Sequence, residues 1–384
     1  MLDNTADIDR LASSAIRVEH FATHRIVDAP LDALVSEVRA WMDVNDFDVV
    51  PILSNEQPMV VLRAELAKVG DDQPLAASAS LVIEEQLVSS STPLPIALDA
   101  LRAHGWLLVC DNNDVTGIVT QSDLGRPAIS IYIFARMISL EHGLRRLLGS
   151  HSSNPITDEP PNDPDSAGPK YLKDVLKEIR KIPELVESLG FSSKTAFDRG
   201  TNFLVELRNH IAHGRSILAQ AEDAQDAVQR IKKLETLVSK ISNLLREREQ
   251  VWRAFEATNV IQKVHANIVW AGPGATPLPL PTPIHIITAY NPFEKVLNRE
   301  ENQQRQEALE RLLELRSVQF TSVCGVSPDG QWVEPSFAVH GLNRSAACAL
   351  ARYIGQRAIF ELDDEFLYVI ESDEKVRGKR YRAL

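Results

Sequence analysis

The chain has 384 residues, with 41 Lys+Arg against 53 Asp+Glu and 44% hydrophobic residues. That length suggests two or three domains, and the apolar content excludes wholesale disorder. No apolar run reaches the ~18 residues that a membrane span needs. The first residues, Met1 to Arg10, have neither a basic n-region nor an apolar h-region. No secretory signal is therefore expected, and the cytoplasm is the expected compartment.

Charge is unevenly spread. Residues 1–130 carry 8 Lys+Arg and 20 Asp+Glu, a net of −12, whereas residues 170–255 carry 16 and 12, a net of +4. A polyanionic partner is disfavoured for the first segment and permitted for the second. Cys110, Cys324 and Cys348 are odd in number and far apart. They make no disulfide framework and no CxxC pair, and all three are read as reduced and buried. With no HExxH and no clustered Cys/His spacing, no metal site is expected.

In chain order, residues 1–130 alternate short strands and helices. The apolar runs Asp48–Leu53 and Pro58–Leu62 recur as Trp106–Cys110 and Thr116–Val119. A helical pattern precedes each pair, over Leu31–Val44 and Pro95–His104. The copies align at an offset of 58 residues, so Met59–Leu66 falls on Gly117–Leu124. This predicts an internal β-α-β-β-α repeat. Residues 131–255 predict a bundle of four helices, each with one apolar face. The first carries Ile138, Leu140, Leu144, Leu147 and Leu148. The second carries Tyr171, Leu172, Val175, Leu176 and Ile179. The third spans Ser193–His213, with Gly214 just past its end, and the fourth spans Glu222–Trp252. A polar, proline-rich loop is expected at 150–168. Residues 256–384 predict an α+β domain. Its strands are His285–Ala289, Trp332–Val339 and Phe366–Glu371, and its helices Arg299–Leu315 and Arg344–Gln356. The proline-rich stretch Ala271–Pro283 is expected to be extended. The basic tail Lys375–Arg382 is expected to be frayed or surface-bound.

Gly117-Ile118-Val119-Thr120-Gln121-Ser122-Asp123-Leu124 and its earlier copy resemble a pair of CBS (cystathionine-β-synthase-like) motifs. The resemblance implies that Thr120 and Asp123 meet the phosphate and ribose of an adenine nucleotide that acts as a regulator. A helix N-terminus accepts a phosphate, and a carboxylate accepts ribose hydroxyls. The first copy has Leu62 and Glu65 at the matching positions, so binding is expected at the second copy alone. Thr120 and Asp123 also form a helix-capping pattern, which leaves open a regulatory fold without ligand.

Arg208-Asn209-His210-Ile211-Ala212-His213, at the end of an apolar helix, resembles the R-x4-H motif of the HEPN domain, a four-helix nucleic-acid-associated fold. Leu140-Glu141-His142-Gly143-Leu144-Arg145 resembles that family's first helix, and the resemblance covers about 130–255. It implies metal-independent RNA cleavage by a dimer, with Arg208, His213, Asn209 and His210 as the site. Arginine binds a scissile phosphate bidentately, and histidine takes or gives a proton near neutral pH. Residues 208 and 213 lie ~140° apart around a helix. His213 must therefore sit in the last turn, with Arg208 reaching across, while Asn209 and His213 are i,i+4 neighbours. The other reading is an arginine and histidine that brace a silent bundle.

Residues 256–384 resemble a small bacterial domain of unassigned function. The matching residues are Thr288-Ala289-Tyr290-Asn291-Pro292, Asn302, Trp332-Val333-Glu334-Pro335-Ser336-Phe337 and Gly355-Gln356-Arg357-Ala358-Ile359-Phe360. Asn291, Glu334 and Gln356 are candidates for one pocket. Alternatively Asn291-Pro292 starts a turn, and Trp332 is a core or interface aromatic.

The whole reads as an endoribonuclease of toxin or anti-phage type, gated through the nucleotide-sensing pair and needing no cofactor for catalysis. Expected partners are RNA, a second copy of the chain, and a regulatory nucleotide or an antitoxin or trigger protein, with no membrane. The alternative is a non-enzymatic nucleotide sensor and dimerisation scaffold. No GxSxG elbow or Cys/His signature supports a hydrolase.

Overall fold

The structure is a computed structural model that describes residues 14–53, 57–149, 171–263 and 267–383. The chain divides into two compact units, Met1–Asn243 and Leu244–Leu384.

The first unit opens with two copies of one small motif. In the first copy, helix α1 (Val35–Asn45) precedes β1 (Val49–Ile52), β2 (Met59–Leu62) and the short α2 (Arg63–Leu66), and β3 (Ser80–Leu81) adds to β2. In the second, β4 (Leu87–Val88) and α3 (Leu94–His104) precede β5 (Trp106–Asp111) and β6 (Asp114–Thr120). Each copy builds a three-stranded sheet. Val50 pairs with Val61 in one, and Leu108 with Ile118 in the other. The 58-residue offset thus brings β1 onto β5 and β2 onto β6, while α1 and α3 stand 59 residues apart. The cause is burial: Val49, Val60, Trp106 and Leu108 form one shared core, so the apolar residues of each copy cover those of the other.

Five helices follow among the described residues. They are α4 (Pro127–Gly149), α5 (Leu172–Ile179), α6 (Pro183–Ser188), α7 (Lys194–Ala212) and α8 (Ala224–Ala257), and the division between the two units falls within α8. The pattern reading gave four helices; Pro183 starts an extra short one at a position where its missing N–H costs nothing. Leu140, Leu144 and Leu147 are buried as expected, but Ile138 is 42% exposed and shares an outward stripe with Ile131 and Phe134. Its inward place is taken by Arg136 and Tyr132, which both bind the Glu235 carboxylate of α8. The expected loop 150–168 lies outside the described residues.

The second unit is an eight-stranded antiparallel sheet in the order β14-β13-β12-β9-β11-β10-β7-β8. Its strands are β7 (Asn259–Lys263), β8 (Asn267–Ala271), β9 (Ile284–Ile287), β10 (Gln319–Val326), β11 (Val333–His340), β12 (Ala358–Leu362), β13 (Phe366–Glu371) and β14 (Val376–Tyr381). Helices α9 (Arg299–Leu315) and α10 (Arg344–Tyr353) cover one face through Leu309, Leu313, Ala347 and Leu350. Trp252 and Phe255 of α8, with Leu278 and Leu280 of the proline-rich stretch, pack on the other. Covered on both faces, β9 is apolar throughout its length except for His285.

One expectation is decided here and one is corrected. The basic tail is not frayed: of the two alternatives it is the bound one, since Val376–Tyr381 pairs with β13 as an edge strand, and Arg380 donates to the carbonyls of Glu256 and Thr258. Of the three free cysteines only Cys348 is buried, while Cys110 and Cys324 are half-buried. Among the described residues no helix is long and apolar enough to cross a membrane.

Candidate functional sites

At the end of β6, Asp123 is 7% exposed, and its carboxylate is engaged from several sides. The Thr120 N–H donates to Asp123 Oδ2 at 2.8 Å and the Thr120 hydroxyl to the same oxygen at 3.2 Å. The Thr23 hydroxyl and the Arg126 Nε–H donate to Oδ1 at 3.2 and 2.8 Å. Arg126 also donates to the Thr23 hydroxyl at 2.6 Å. Thr23 arrives because its backbone pairs with Ile118, beside β6. The structure therefore brings Thr120 and Asp123 together as a capped turn. A carboxylate has about four lone-pair sites, so ribose hydroxyls would have to displace partners already present. In the first copy Glu65 pairs with Lys68 at 2.8 Å, and Leu62 offers no hydroxyl. Thr23 and Arg126 went unread in the sequence. Arg126 stands three residues after Asp123, a spacing that brings side chains together on one helix face; Thr23, a hundred residues away, left no signal.

The second site is the end of α7. Here the Gly214 N–H donates to the Ile211 carbonyl and the Arg215 N–H to the His210 carbonyl, with Gly214 at φ 72°. This is a Schellman closure, which makes His213 the C-cap residue (φ −90°, ψ 13°) and turns the chain away beyond it. His213 and Asn209 are exposed and Arg208 is half-buried. The expected side-chain contact between Asn209 and His213 is replaced by a long bond of 3.5 Å from Arg208 Nη1 to Asn209 Oδ1, and the His213 N–H instead donates to the Asn209 carbonyl. Among the described residues Arg208 makes no ion pair with a carboxylate. His210 turns inward: its Nε2 is buried and has no hydrogen-bond partner among the described residues.

The third site surrounds the turn after β9. Asn291 adopts a left-handed conformation, φ 47°, as does Phe293, φ 50°. A collar of side chains holds this backbone. Gln306 accepts from the Ala289 N–H at 2.9 Å, Arg305 Nε donates to the Ala289 carbonyl at 2.9 Å, and Gln356 donates to the Tyr290 carbonyl. Asn302 accepts from the Asn291 N–H at 2.8 Å and donates to Asn291 Oδ1 at 2.9 Å. Glu334, on β11, lies against the same turn. Burial pushes its carboxyl above the ordinary value, against the lowering effect of the polar side chains of Trp332, Thr288 and Asn291 beside it. Asn291, Glu334 and Gln356 thus do converge, although Gln356 meets backbone rather than the other two side chains. Trp332 is 52% exposed and so is not a core aromatic.

On the helix side of the same sheet, His285 Nε2 lies 3.1 Å from Glu361 Oε2, and Arg344 donates to both Glu361 oxygens at 3.0 and 2.7 Å. Burial raises the Glu361 carboxyl, but hydrogen bonds from His285 and Arg344, with their charges, outweigh it and bring it down to about 2. Sequence reading missed this trio; its members lie on three separate elements. Burial pushes the Cys348 thiol up to about 11, which leaves it protonated and unreactive. Among the described residues no group of three or more His, Cys, Asp or Glu side chains is placed to hold a metal ion.

Comparison with known proteins places the third site inside a recognised segment. Residues 287–359 match a family described as a protein of unknown function (DUF3293). No curated protein matches the chain. Among solved structures, the chain is similar in part to CBS domain proteins. A putative acetoin utilization protein (AcuB) from Vibrio cholerae is 21% identical, with 28% of this chain and 86% of that chain covered at a TM-score of 0.26. A CBS domain protein from Pyrobaculum aerophilum, complexed with AMP, is 21% identical over 28% and 90% of the two chains at 0.26. A hemolysin-like protein containing a CBS domain from Oenococcus oeni PSU is 11% identical over 31% and 94% at 0.26.

Proposed function

We propose that the chain is a metal-independent endoribonuclease that acts as a homodimer, of the kind used as a toxin or anti-phage effector. The observation that carries this reading is the end of α7: Arg208 and His213 are accessible there and no carboxylate of the described residues neutralises the arginine. A silent brace would instead bury the pair and satisfy each with the other. The surrounding segment, 170–255, has a net charge of +4, which suits a polyanion.

In the proposed reaction Arg208 holds the scissile phosphate. His213 of one copy takes the proton of the ribose 2′-hydroxyl, whose oxygen bonds to phosphorus as the bond from phosphorus to the 5′-oxygen breaks. His213 of the second copy gives that leaving oxygen its proton. The products are a 2′,3′-cyclic phosphate and a 5′-hydroxyl, and the metal's usual roles are filled by the arginine and the two imidazoles. An adenine nucleotide at Thr120 and Asp123 is the proposed regulator, with Arg126 as an additional cation for its phosphate. The test is incubation of the purified chain with total cellular RNA, with and without chelator, beside the double variant Arg208→Ala/His213→Ala. Fragmentation by the native chain alone supports the reading; equal fragmentation by both sinks it.

A further inference from the structure

The surface formed by Trp332 and Glu334 takes no part in the proposed cleavage. Trp332 stands in the turn between β10 and β11, and hydrogen bonds from both its backbone and its ring fix it. Its N–H donates to Ser327 Oγ at 2.9 Å, its carbonyl accepts from the Ser327 N–H at 2.9 Å, and its indole Nε1–H donates to Glu334 Oε2 at 3.2 Å. Holding a large side chain still costs conformational entropy. A half-exposed indole recovers less of that cost through burial than a core one. The result is a preorganised aromatic face beside a carboxylate, the arrangement that lowers the cost of binding a planar ligand.

The carboxylate has capacity to spare. Of its neighbours, Thr288 gives its single hydroxyl hydrogen to the Pro335 carbonyl at 2.8 Å. Trp332 is then the side-chain donor that Glu334 keeps, with Asn291 beside it, and at least two of a carboxylate's four lone-pair sites are left for a ligand. Asn291 is held in its left-handed conformation by Asn302, so this wall of the site is fixed as well.

We propose that Trp332, Glu334 and Asn291 form a binding site for a guanine base, with the indole as the stacking face and the Glu334 carboxylate accepting from the base's N1–H and N2–H edge. Among the standard bases guanine alone carries two adjacent N–H donors on that edge. Aromatic faces hold unstacked bases, and side chains read the exposed edge. An arginine side chain has similar paired donors, but Arg305, bound to the Ala289 carbonyl, already places a positive charge beside this turn. That charge favours a neutral base. The guanine comes either from a free nucleotide or from a single strand.

Calorimetry on the full chain tests this, with GMP, IMP and AMP and with single-stranded deoxyribonucleotides containing one guanine or one adenine; because an adenine nucleotide is also proposed at Thr120 and Asp123, the affinities compared are those of the binding that Trp332→Ala removes. The deoxy strands lack the 2′-hydroxyl and are not cut by the proposed mechanism, so binding and cleavage fail separately. GMP is expected to bind at least about tenfold more tightly than AMP, with IMP, which lacks the N2 donor, in between. Trp332→Ala and Glu334→Gln are each expected to weaken GMP at least about tenfold, with the fold checked by circular dichroism and Trp332→Phe retaining part of the affinity. Binding of GMP but not of the guanine strand identifies a free nucleotide as the source; binding of both identifies a base within a strand. Equal affinity for GMP and AMP, or unchanged GMP binding in both variants, overturns the proposal.

Discussion

Asp123→Ala removes the acceptor for four donors at once: the Thr120 N–H, the hydroxyls of Thr120 and Thr23, and Arg126 Nε. The four losses do not weigh equally. The Arg126 side chain is 43% exposed and regains water, so its ion pair with Asp123 contributes no more than about 1 kcal/mol. The Thr120 N–H opens a turn and loses a cap worth ~1 kcal/mol. The two half-buried hydroxyls lose bonds to a charged acceptor, of which water replaces a part, leaving about 1 kcal/mol between them. The sum is a destabilisation of about 3 kcal/mol. Urea unfolding followed by far-UV circular dichroism measures it, and Asp123→Asn, which keeps an acceptor for the Thr120 N–H, should recover about a third. A loss under about 0.5 kcal/mol for Asp123→Ala, the scale of an ordinary surface change, would refute the view that this carboxylate ties the turn to Thr23. In the native chain an adenine nucleotide bound at Thr120 and Asp123 should raise the unfolding free energy by RT ln(1+[L]/Kd), about 2.7 kcal/mol at a hundredfold excess over Kd. Asp123→Ala should abolish that gain.

Glu361, ordinarily near 4.5, is held down to about 2 in the fold, so its contribution is present above the unfolded value and is lost as the pH falls through 4 toward 2. At 1.36 kcal/mol per pKa unit this is about 3 kcal/mol, and Glu361→Gln should flatten the acid limb of stability against pH; an unchanged limb contradicts the assignment. Sedimentation equilibrium at micromolar concentration should show a dimer, because a single chain supplies one His213 where the proposed acid–base cleavage uses two. A monomer that still cuts RNA contradicts that arrangement.

The parts of the fold that read well from sequence are those whose signals are local. The end of α7 was legible because an apolar helix running into Gly214 encodes its own stop. The repeat was legible because each copy buries the same apolar positions against the other, which leaves Val49–Ile52 and Leu107–Cys110 alike in pattern. Strands β7, β8, β10, β12 and β14 were not legible. In β10 the first half, Gln319–Ser322, holds one apolar residue, Phe320, and the buried positions of the second half are Val323 and Gly325, so no clear alternation announces it. In β14 only Val376 and Tyr381 are apolar by type, and the strand is fixed by Arg380 reaching carbonyls more than a hundred residues earlier. The same limit applied to the sites. Asp123 was found from its spacing to Thr120, whereas Thr23 depends on a bridge to Ile118. Ile138 misled because an apolar residue at helical spacing was assigned inward, while the buried ion pair of Arg136 with Glu235 took that face.

The measurement that bears most directly on RNA cleavage is mass analysis of the products from a short single-stranded RNA incubated with the chain in EDTA. The native protein should yield fragments ending in a 2′,3′-cyclic phosphate and beginning with a 5′-hydroxyl. His213→Ala should yield none, while its unfolding free energy stays within about 0.5 kcal/mol of native, since the residue is exposed. Equal product from His213→Ala, or cleavage that appears only when Mg2+ is restored, would contradict the account.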